Sequence, residues 1–382
     1  MTSELSSLCS YAKGKVSVDT LSKRNYVSTE NMVPNKGGIV DAGALPSAQY
    51  TQQYMKDDIL VSNIRPYFKK IWMADDDGGC SNDVLVFRAE CGCDSTFLYY
   101  VLANDAFFNY ASATSKGTKM PRGDKTAIMQ YEVPCFNHET QLRIGKLLRS
   151  IDDRITVNKK INDNLEQQAQ SYFQELFVDN ANPEWTTGTI SDLGAVVGGS
   201  TPSKAKPEYY TESGIAWITP KDLSINKSKF VSHGENDITE LGLKNSSAAI
   251  MPEGTVLFSS RAPIGYIAIA AGEVTTNQGF KSVVPKPEIG TPFVYFFLKN
   301  TLPVIEGMAS GSTFKEVSGS TMKNVPAVIP DAETLAKFSD FCAPIFAQQR
   351  ILEEQNQSLA TLRDNLLPKL MSGEIDVSAV QL

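Results

Sequence analysis

Residues 138–177 of this chain read HETQLRIGKLLRSIDDRITVNKKINDNLEQQAQSYFQELF. Ten positions in this stretch step by alternating four and three residues, which is the spacing of a coiled-coil seam. These positions are Ile144, Leu148, Ile151, Ile155, Asn158, Asn162, Leu165, Ala169, Tyr172 and Leu176. Asn137, just before the stretch, suits the N-cap of a helix. The pattern therefore predicts one helix, roughly 60 Å long at about 1.5 Å per residue.

The same design returns 194 residues later, over residues 332–371, with Asp331 at the N-cap position. Asn162 and Asn356 occupy the same layer of the two copies, which predicts a mutual pair that fixes the register of the helices at some cost in stability. The second seam consists of Phe338, Cys342, Ile345, Gln349, Leu352, Asn356, Leu359, Arg363, Leu366 and Leu370.

The segments ahead of the two helices also repeat one order of motifs. Strand-like runs at 59–62 and 255–258 each lead to a short loop with a proline, and apolar helical patterns follow at 96–109 and 292–300. Two matched helices with two non-identical globular segments suggest a helical spacer that holds two different globular segments apart. Inserting one heptad into each helix should then lengthen the gap between the sites that the two segments bind.

Composition sets broad limits on the function. With 382 residues the chain should form more than one domain, since single cores stop growing near ~250–300 residues. No apolar run approaches the ~20 residues that span a bilayer, and the N-terminus lacks the order of a signal peptide, so a cytoplasmic protein without a membrane partner is expected. The net charge of −7 argues against nucleic acid, but residues 331–382 carry 4 basic and 8 acidic side chains and hold more than half of that excess. A basic face on either globular segment must therefore be local.

Motifs for catalysis, cofactors and metals are weak. The stretch from Gly194 to Thr201 resembles a phosphate loop but lacks the lysine that reaches the β- and γ-phosphates, so it is interpreted as a turn that enters a new domain. Two histidines at unrelated places form no Ser/His/Asp set, and the six cysteines match no zinc spacing. We expect no catalytic residues, no metal and no cofactor.

Polar and basic loops recur at corresponding places in both halves. Arginine can pair with guanine edges, asparagine and glutamine with adenine, and Ser, Thr and Lys with phosphates. Each loop taken alone is better explained as a solvated turn, but the recurrence makes DNA contact an equally good interpretation. The candidates are Ser62, Asn63, Arg65, Lys116, Thr118, Lys119, Arg122, Thr201, Ser203, Lys204, Ser259, Ser260, Arg261, Thr276, Asn277, Gln278, Ser312, Thr313 and Lys315.

A further set of motifs lies in the second half of the chain and in its tail. They are Gly199–Ser203 with Tyr209 and Tyr210, Gly214–Asp222, Phe258–Gly265, Thr276–Phe280 and Leu366–Glu374. With them the chain resembles the specificity subunit of type I restriction–modification enzymes, over essentially its full length. The second half and the tail carry specific motifs, whereas the first segment matches mainly by the order of its elements.

The resemblance implies an α+β fold with two mixed α/β target-recognition domains, two long antiparallel coiled-coil helices and a pseudo-two-fold internal repeat. It implies recognition domains at 1–136 and 179–330, a central spacer helix at 137–178, and a C-terminal spacer helix with tail at 331–382. Each domain would read one half of an interrupted, asymmetric site in double-stranded DNA. Two modification subunits, which carry the methyltransferase chemistry, would bind around the helices, and restriction subunits would join them.

Two other functions remain open at this stage. One is a coiled-coil scaffold that brings proteins together without touching DNA. The other is a self-sufficient DNA methyltransferase or nuclease, which would need a cofactor loop or an acidic metal site. Binding that does not depend on salt would favour the scaffold.

Overall fold

The computed structural model describes residues 2–311, 315–378 and 380. The chain divides into two compact units, one of Met1–Thr156 with Gln357–Leu382 and the other of Val157–Asn356. Both units mix helices with strands. The domain boundaries expected from the sequence remain a prediction, because each unit contains parts of both long helices.

The first unit contains two four-stranded sheets, with the strand orders β2-β9-β6-β7 and β3-β5-β8-β4, and a two-stranded pair β1-β10. Its strands are β1 Thr2–Glu4, β2 Cys9–Tyr11, β3 Lys15–Ser17, β4 Tyr26–Val27, β5 Tyr50–Tyr54, β6 Ile59–Ser62, β7 Ile71–Met73, β8 Gly78–Cys80, β9 Val84–Ala89 and β10 Glu132–Pro134. Its helices are α1 Ser95–Ala103, α2 Asp105–Ala113, α3 Lys125–Met129 and the first part of α4 His138–Gln174.

The second unit contains a five-stranded sheet, β12-β20-β17-β18-β15, a four-stranded sheet, β13-β16-β14-β19, and the pair β11-β21. Its strands are β11 Thr186–Thr189, β12 Gly194–Gly198, β13 Tyr210–Thr211, β14 Ile215–Ile218, β15 Phe230–Val231, β16 Asn236–Ile238, β17 Val256–Ser260, β18 Ile264–Ala270, β19 Thr275–Thr276, β20 Lys281–Pro285 and β21 Pro326–Ile329. Its helices are α5 Ile190–Leu193, α6 Pro220–Ile225, α7 Glu240–Lys244, α8 Thr291–Gly307 and α9 Gly319–Lys323, and α10 spans Ala332–Ser372.

The two units repeat one backbone pattern, as the repeated order of motifs predicts. A β-bridge joins Lys116 to Arg122, and another joins Ser310 to Glu316, each 194 residues later. In one four-stranded sheet of each unit a parallel pair occurs, β4 with β8 in the first unit and β14 with β19 in the second. The repeat is not complete. The earlier strand of the pair, β4, is an edge strand in the first unit, whereas β14 is an inner strand in the second; the later strand, β8, is inner, whereas β19 is at the edge.

The two long helices begin where the sequence predicts. The Thr140 amide donates to the Asn137 side chain at 2.8 Å, and the Thr334 amide donates to Asp331 at 2.8 Å, so both predicted N-caps are confirmed. Helix α4 ends at Gln174 and continues as a short π-helical segment, Glu175–Asp179. No helix among the described residues is long and apolar enough to span a membrane.

Within the second unit the two helices run antiparallel, and their polar layers differ from the prediction. The side-chain amide of Asn158 donates to the side-chain oxygen of Asn356 at 3.0 Å. The side-chain amide of Asn162 instead donates to the backbone carbonyl of Gln349 at 3.5 Å. The predicted pair of Asn162 with Asn356 is therefore wrong. In an antiparallel pair, residue numbers rise along one helix in the direction in which they fall along the other. Residues at equivalent positions of the two copies therefore lie on different layers.

The seam residues of the helices enter the cores of the two units. In the first unit Ile144 and Leu148 of α4 and Leu370 of α10 are buried with aromatic residues of α1 and α2, such as Phe97 and Phe107. The Tyr100 hydroxyl donates to the Asp152 carboxylate of α4 at 2.6 Å, and Arg363 of α10 contacts the same carboxylate at 2.7 Å. Each helix is thus anchored to this unit by apolar and by charged contacts.

In the second unit Phe173 of α4 and Phe338 of α10 are buried against Phe293 and Phe296 of α8. The helices again pack on the helix that follows the main sheet. The long helices therefore cover α8 and leave the loops of this unit accessible.

The predicted helix over 96–109 differs from the structure. It is divided into α1 and α2 at Asn104, whose backbone is extended (ψ 137°). The Asn104 side chain accepts a hydrogen bond from the Ala106 amide at 3.0 Å. Asparagine favours such N-caps over helix interiors, and it starts a second helix here.

Candidate nucleic-acid interface

In the second unit, loops that are distant in sequence meet beside the ends of β12, β14 and β17. The Ser200 amide donates to the Thr276 carbonyl at 2.8 Å, and the Ser260 amide donates to the Gly279 carbonyl at 2.7 Å. The Val317 amide then donates to the Ser260 carbonyl at 2.9 Å. The structure therefore brings the predicted loops at 200–204, 259–261 and 276–278 together, with residues 315–317 beside them.

Gly199 explains the stretch that resembles a phosphate loop. A Cβ atom at this position would lie 1.9 Å from the Asn277 carbonyl oxygen and 2.5 Å from the Thr276 carbonyl oxygen. No side chain fits there, so glycine permits the loop after β12 to pass directly against the loop after β19. The glycine of this motif thus allows the backbones of the two loops to lie close together.

A polar recess of about 540 Å³ lies where these two loops meet α6 and the start of β16. It combines hydroxyl, carboxamide and ammonium groups with two aromatic rings. The only carboxylate among its described lining residues, Glu235, is paired with Lys221 at 2.5 Å. We name it the second-unit cleft, and its lining consists of Thr201, Lys204, Tyr210, Trp217, Thr219, Pro220, Lys221, Glu235, Asn236, Asn277 and Gln278.

The local structure fixes the walls of the cleft. The indole N–H of Trp217 donates to the Ser200 carbonyl at 3.0 Å, and the Thr219 and Asp222 side chains cap the start of α6. The Thr201 hydroxyl donates to the side chain of Gln278 across the loop junction. Gln278 and Lys204 are exposed, and Lys204 forms no ion pair with any described residue, so both can meet a partner.

Three candidates in this unit are buried, so the prediction that their side chains contact DNA directly is corrected. The hydroxyl of Ser259 donates to the Pro263 carbonyl at 2.8 Å, and that of Ser260 to the Gly279 carbonyl at 3.1 Å. Thr276 is also buried, inside the parallel pair of β14 and β19. The two serine hydroxyls thus bind backbone carbonyls and hold the loops. Ser203 is exposed, whereas Ser312 and Thr313 lie outside the described residues.

A second basic surface of this unit is partly neutralised. The guanidinium group of Arg261 lies 3.3 Å from the Glu316 carboxylate, and the ammonium group of Lys281 lies 3.9 Å from it. Burial lowers the pKa of Lys281, against the opposite effect of Glu316. Lys315 is exposed beside this cluster. Glu316 thus offsets part of the positive charge that Arg261 would offer to a phosphate or a guanine edge.

In the first unit the predicted loops also converge. The Arg65 amide donates to the Pro121 carbonyl at 2.8 Å, and the Gly123 amide donates to the Asn63 carbonyl at 3.1 Å. Ser62 and Asn63 are buried, with the Ser62 hydroxyl on the Ile64 carbonyl, so their prediction as direct contacts is corrected as well.

Two of the four charged candidates of this unit form ion pairs with described residues. Lys116 lies 2.5 Å from Asp124, and Arg122 lies 2.9 Å from Asp83. Thr118 and Lys119 are exposed at the tip of the same loop, and Arg65 is partly exposed. Contact of these residues with DNA stays a prediction.

Sequence analysis did not include seven of the eleven described lining residues of the second-unit cleft among its candidates, and Trp217, Lys221 and Asn236 are three of them. Trp217 and Lys221 belong to one of the quoted motifs, but nothing in their spacing indicated that they line the same recess as Gln278. Asn236 lies in an ordinary strand and carries no sequence feature that could single it out.

No group of three or more His, Cys, Asp or Glu side chains suitable for a metal occurs among the described residues.

Comparison with known proteins identifies the family. Residues 1–167 and 182–362 match the type I restriction modification DNA specificity domain. Two matches cover most of the chain and follow the internal repeat. The chain therefore belongs to the family of type I restriction–modification DNA specificity proteins.

Individual relatives agree with this assignment. The type I restriction enzyme MjaIX specificity subunit of Methanocaldococcus jannaschii is 39% identical over 194 residues, which are 48% of this chain and 45% of that protein. The type I restriction enzyme HindI specificity subunit of Haemophilus influenzae is 23% identical over an alignment that covers 92% of this chain and 94% of that protein. The chain thus spans less than half of the first relative and nearly all of the second.

A solved structure shares the fold. The S subunit of a type I restriction–modification system from M. genitalium superposes with a TM-score of 0.62, covering 97% of this chain and 96% of that chain at 18% sequence identity. The predicted α+β fold, with two mixed α/β units and two long helices, is confirmed.

Proposed function

We propose that this chain is the DNA-recognition subunit of a type I restriction–modification complex and that it carries no catalytic site of its own. Each globular unit would read one half of a bipartite, asymmetric site, and the long helices would separate the two halves. The observation that carries the proposal is the second-unit cleft. Its side chains are those that DNA readers use, and its one described carboxylate is already paired with Lys221.

The groups in the cleft divide by chemistry into two roles. The ammonium groups of Lys204 and Lys221 suit phosphate oxygens, which position a protein on DNA without reading its sequence. The carboxamides of Asn236 and Gln278 can donate and accept at once, as an adenine edge requires. Family membership and the names of the relatives, which are specificity subunits, support a role in DNA recognition.

A second surface fits the proposed modification subunits. Val157 and Ile161 are one helical turn apart on α4, and these residues are 46% and 38% exposed. Ile351, the residue 194 positions after Val157, is 47% exposed on α10. Exposed aliphatic side chains at equivalent places of the two copies suit two identical partners. We assign this surface to the two modification subunits, with restriction subunits joining the complex they form.

The proposal is tested by measuring DNA binding and methylation with the chain alone and in complex with its modification subunits. We expect the complex to bind a specific duplex with a steep salt dependence and to methylate it at one bipartite site. Mapping methylated positions in a host with and without this gene identifies that site.

Two outcomes would contradict the proposal. Binding of the complex without any salt dependence would favour a protein scaffold. Methylation by the purified chain alone would show a self-sufficient enzyme. In either case the role of a separate DNA reader is lost.

A further inference from the structure

The first unit contains a groove that none of the candidate DNA-contact residues lines. It has a volume of about 540 Å³ and lies between β3, β5, the loop after β8 and the start of α3. Three exposed lysines, Lys13, Lys15 and Lys125, line it together with Gln52 and Asn82. No aspartate or glutamate is among its described lining residues, and none of the three lysines forms an ion pair within the described part of the chain.

The backbone identifies this groove as the counterpart of the second-unit cleft. Val27 pairs in parallel with Cys80, as Ile218 does with Thr276. The Asn63 amide donates to the Asp83 carbonyl, as the Ser260 amide does to Gly279. Cys80 and Asp83 therefore correspond to Thr276 and Gly279, both 196 residues later.

The residues between these anchors must correspond as well. Asn82 stands at the place of Gln278, and Ser81 at the place of Asn277. Tyr26 pairs with Gly79 as Trp217 pairs with Thr275, and both aromatic residues line their recess. Both recesses also have a volume of about 540 Å³.

We infer that this groove is the surface with which the first unit reads its half of the DNA site. Lys13, Lys15 and Lys125 bind phosphates, while the carboxamides of Gln52 and Asn82 meet base edges. The inference rests on the proposed function and deepens it, because it replaces the 116–122 loop as the main contact of this unit.

Charge distinguishes the groove from that loop. Two charged side chains of the loop that could face a phosphate, Lys116 and Arg122, are already paired with Asp124 and Asp83. The groove combines three ammonium groups with no carboxylate among its described residues. It supplies the local basic face that a chain with a net charge of −7 needs for binding DNA.

The test uses the full chain in complex with its modification subunits and a duplex that carries the mapped site. In one variant Lys13→Gln is combined with Lys15→Gln. We expect the slope of log K against log salt to fall by about 0.9 for each phosphate that the variant no longer binds. The matched control combines Lys23→Gln with Lys56→Gln, two exposed lysines of the same unit outside the groove, and should keep the slope of the native chain.

A second variant, Asn82→Ala, tests base reading by a different measurement. The methylation rate is measured on duplexes in which each base pair of both half-sites is varied in turn. We expect discrimination to fall roughly 10- to 100-fold at one position of one half-site, with the other half-site unchanged. Because Asn82 is exposed, the thermal unfolding of the Asn82→Ala variant should match that of the native chain, which excludes a folding defect.

The outcomes separate this inference from the function on which it rests. If the native complex shows a salt slope and site-specific methylation while the groove variants behave like their controls, the groove is not the reader and the inference is overturned. A loss of discrimination in both half-sites with Asn82→Ala would overturn it too. If the native complex itself lacks the salt slope and the specific methylation, the proposed function has failed.

Discussion

The ammonium group of Lys229 lies 2.8 Å from the carboxylate of Glu166 on α4, and only 7% of Lys229 is exposed. The rings of Phe346 and Tyr295 surround it, with centroids 3.4 and 4.4 Å from its nitrogen. Lys299 contacts the same carboxylate at 2.5 Å. This cluster fastens the main sheet of the second unit to both long helices, because Gln349 of α10 also accepts from Lys229 at 2.9 Å.

The charges of this cluster lead to a prediction about acid stability. Burial alone would raise the pKa of Glu166, but the ammonium groups of Lys229 and Lys299 outweigh it and lower the pKa from 4.5 to about 2. Because the folded-state pKa is depressed, Glu166 stabilises the fold above about pH 4.5, and this contribution is lost as the pH falls towards 2.

We expect Glu166→Gln to lower the free energy of unfolding by about 3 kcal/mol at pH 7, because it leaves a buried ammonium group without its carboxylate. Below pH 4.5 the difference from the native chain should shrink. Urea unfolding at several pH values measures it, with Asp163→Asn, an exposed carboxylate on the same helix, as the control. A difference that stays constant down to pH 2.5 would contradict the assigned role of Glu166.

Gly199→Ala is expected to disable the second-unit cleft. The added methyl group would meet the carbonyl oxygens of Asn277 and Thr276, so one of the two loops must move. DNA affinity should fall at least tenfold, since Gln278 follows directly after Asn277. The measurement is DNA binding by the complex, and Gly272→Ala, whose Cβ would lie in open space, is the matched control. Equal affinities for the two variants would show that the close approach of the loops is dispensable.

Lys204→Gln should weaken binding to all DNA sequences alike. A lysine that contacts a phosphate contributes to affinity but not to base preference, and its loss should reduce the salt slope by about 0.9. Titrations at several salt concentrations with specific and non-specific duplexes measure this effect. Lys244→Gln removes the same charge from α7, outside the cleft, and is expected to change nothing. A change in base preference with Lys204→Gln would assign it a different role.

The asparagine layer of the long helices is predicted to reduce stability in favour of a defined register. Asn158 is fully buried and its side-chain oxygen has no hydrogen-bond partner in the described structure. Replacing both Asn158 and Asn356 by leucine should therefore raise the free energy of unfolding by about 1 kcal/mol. Asn158→Leu alone should be less stable than the double variant, because Asn356 loses its donor. A double variant less stable than the native chain would refute this account.

The long helices were predictable because their periodicity extends over many turns and their ends carry capping side chains. Asn137 and Asp331 cap the helices where the sequence placed them, and the seam residues are largely buried. The pairing of individual layers was not predictable from the repeat alone. Antiparallel packing places Asn158, not Asn162, opposite Asn356.

The site was predictable only in part. Recurring polar loops correctly indicated which segments of each unit converge, but the same residue types also bind backbone groups. Ser259 and Ser260 satisfy carbonyls of their own unit, and the sequence does not distinguish this from exposure. The groove around Asn82 was missed because Lys13 and Lys15, at the start of β3, lie far in sequence from Asn82 and from Lys125 of α3, and only the fold brings them together.

Glu353 of α10 accepts hydrogen bonds from the backbone amides of Lys229 and Phe230, at 2.8 and 3.0 Å. Such contacts do not depend on which side chains the loop carries. A recognition domain from another protein could be grafted at this point and still be held by this carboxylate, provided that its loop offers two backbone amides to Glu353 and a lysine in place of Lys229 to Glu166. Target preference can thus be exchanged, by evolution or by protein engineering, while α4 and α10 keep their sequence.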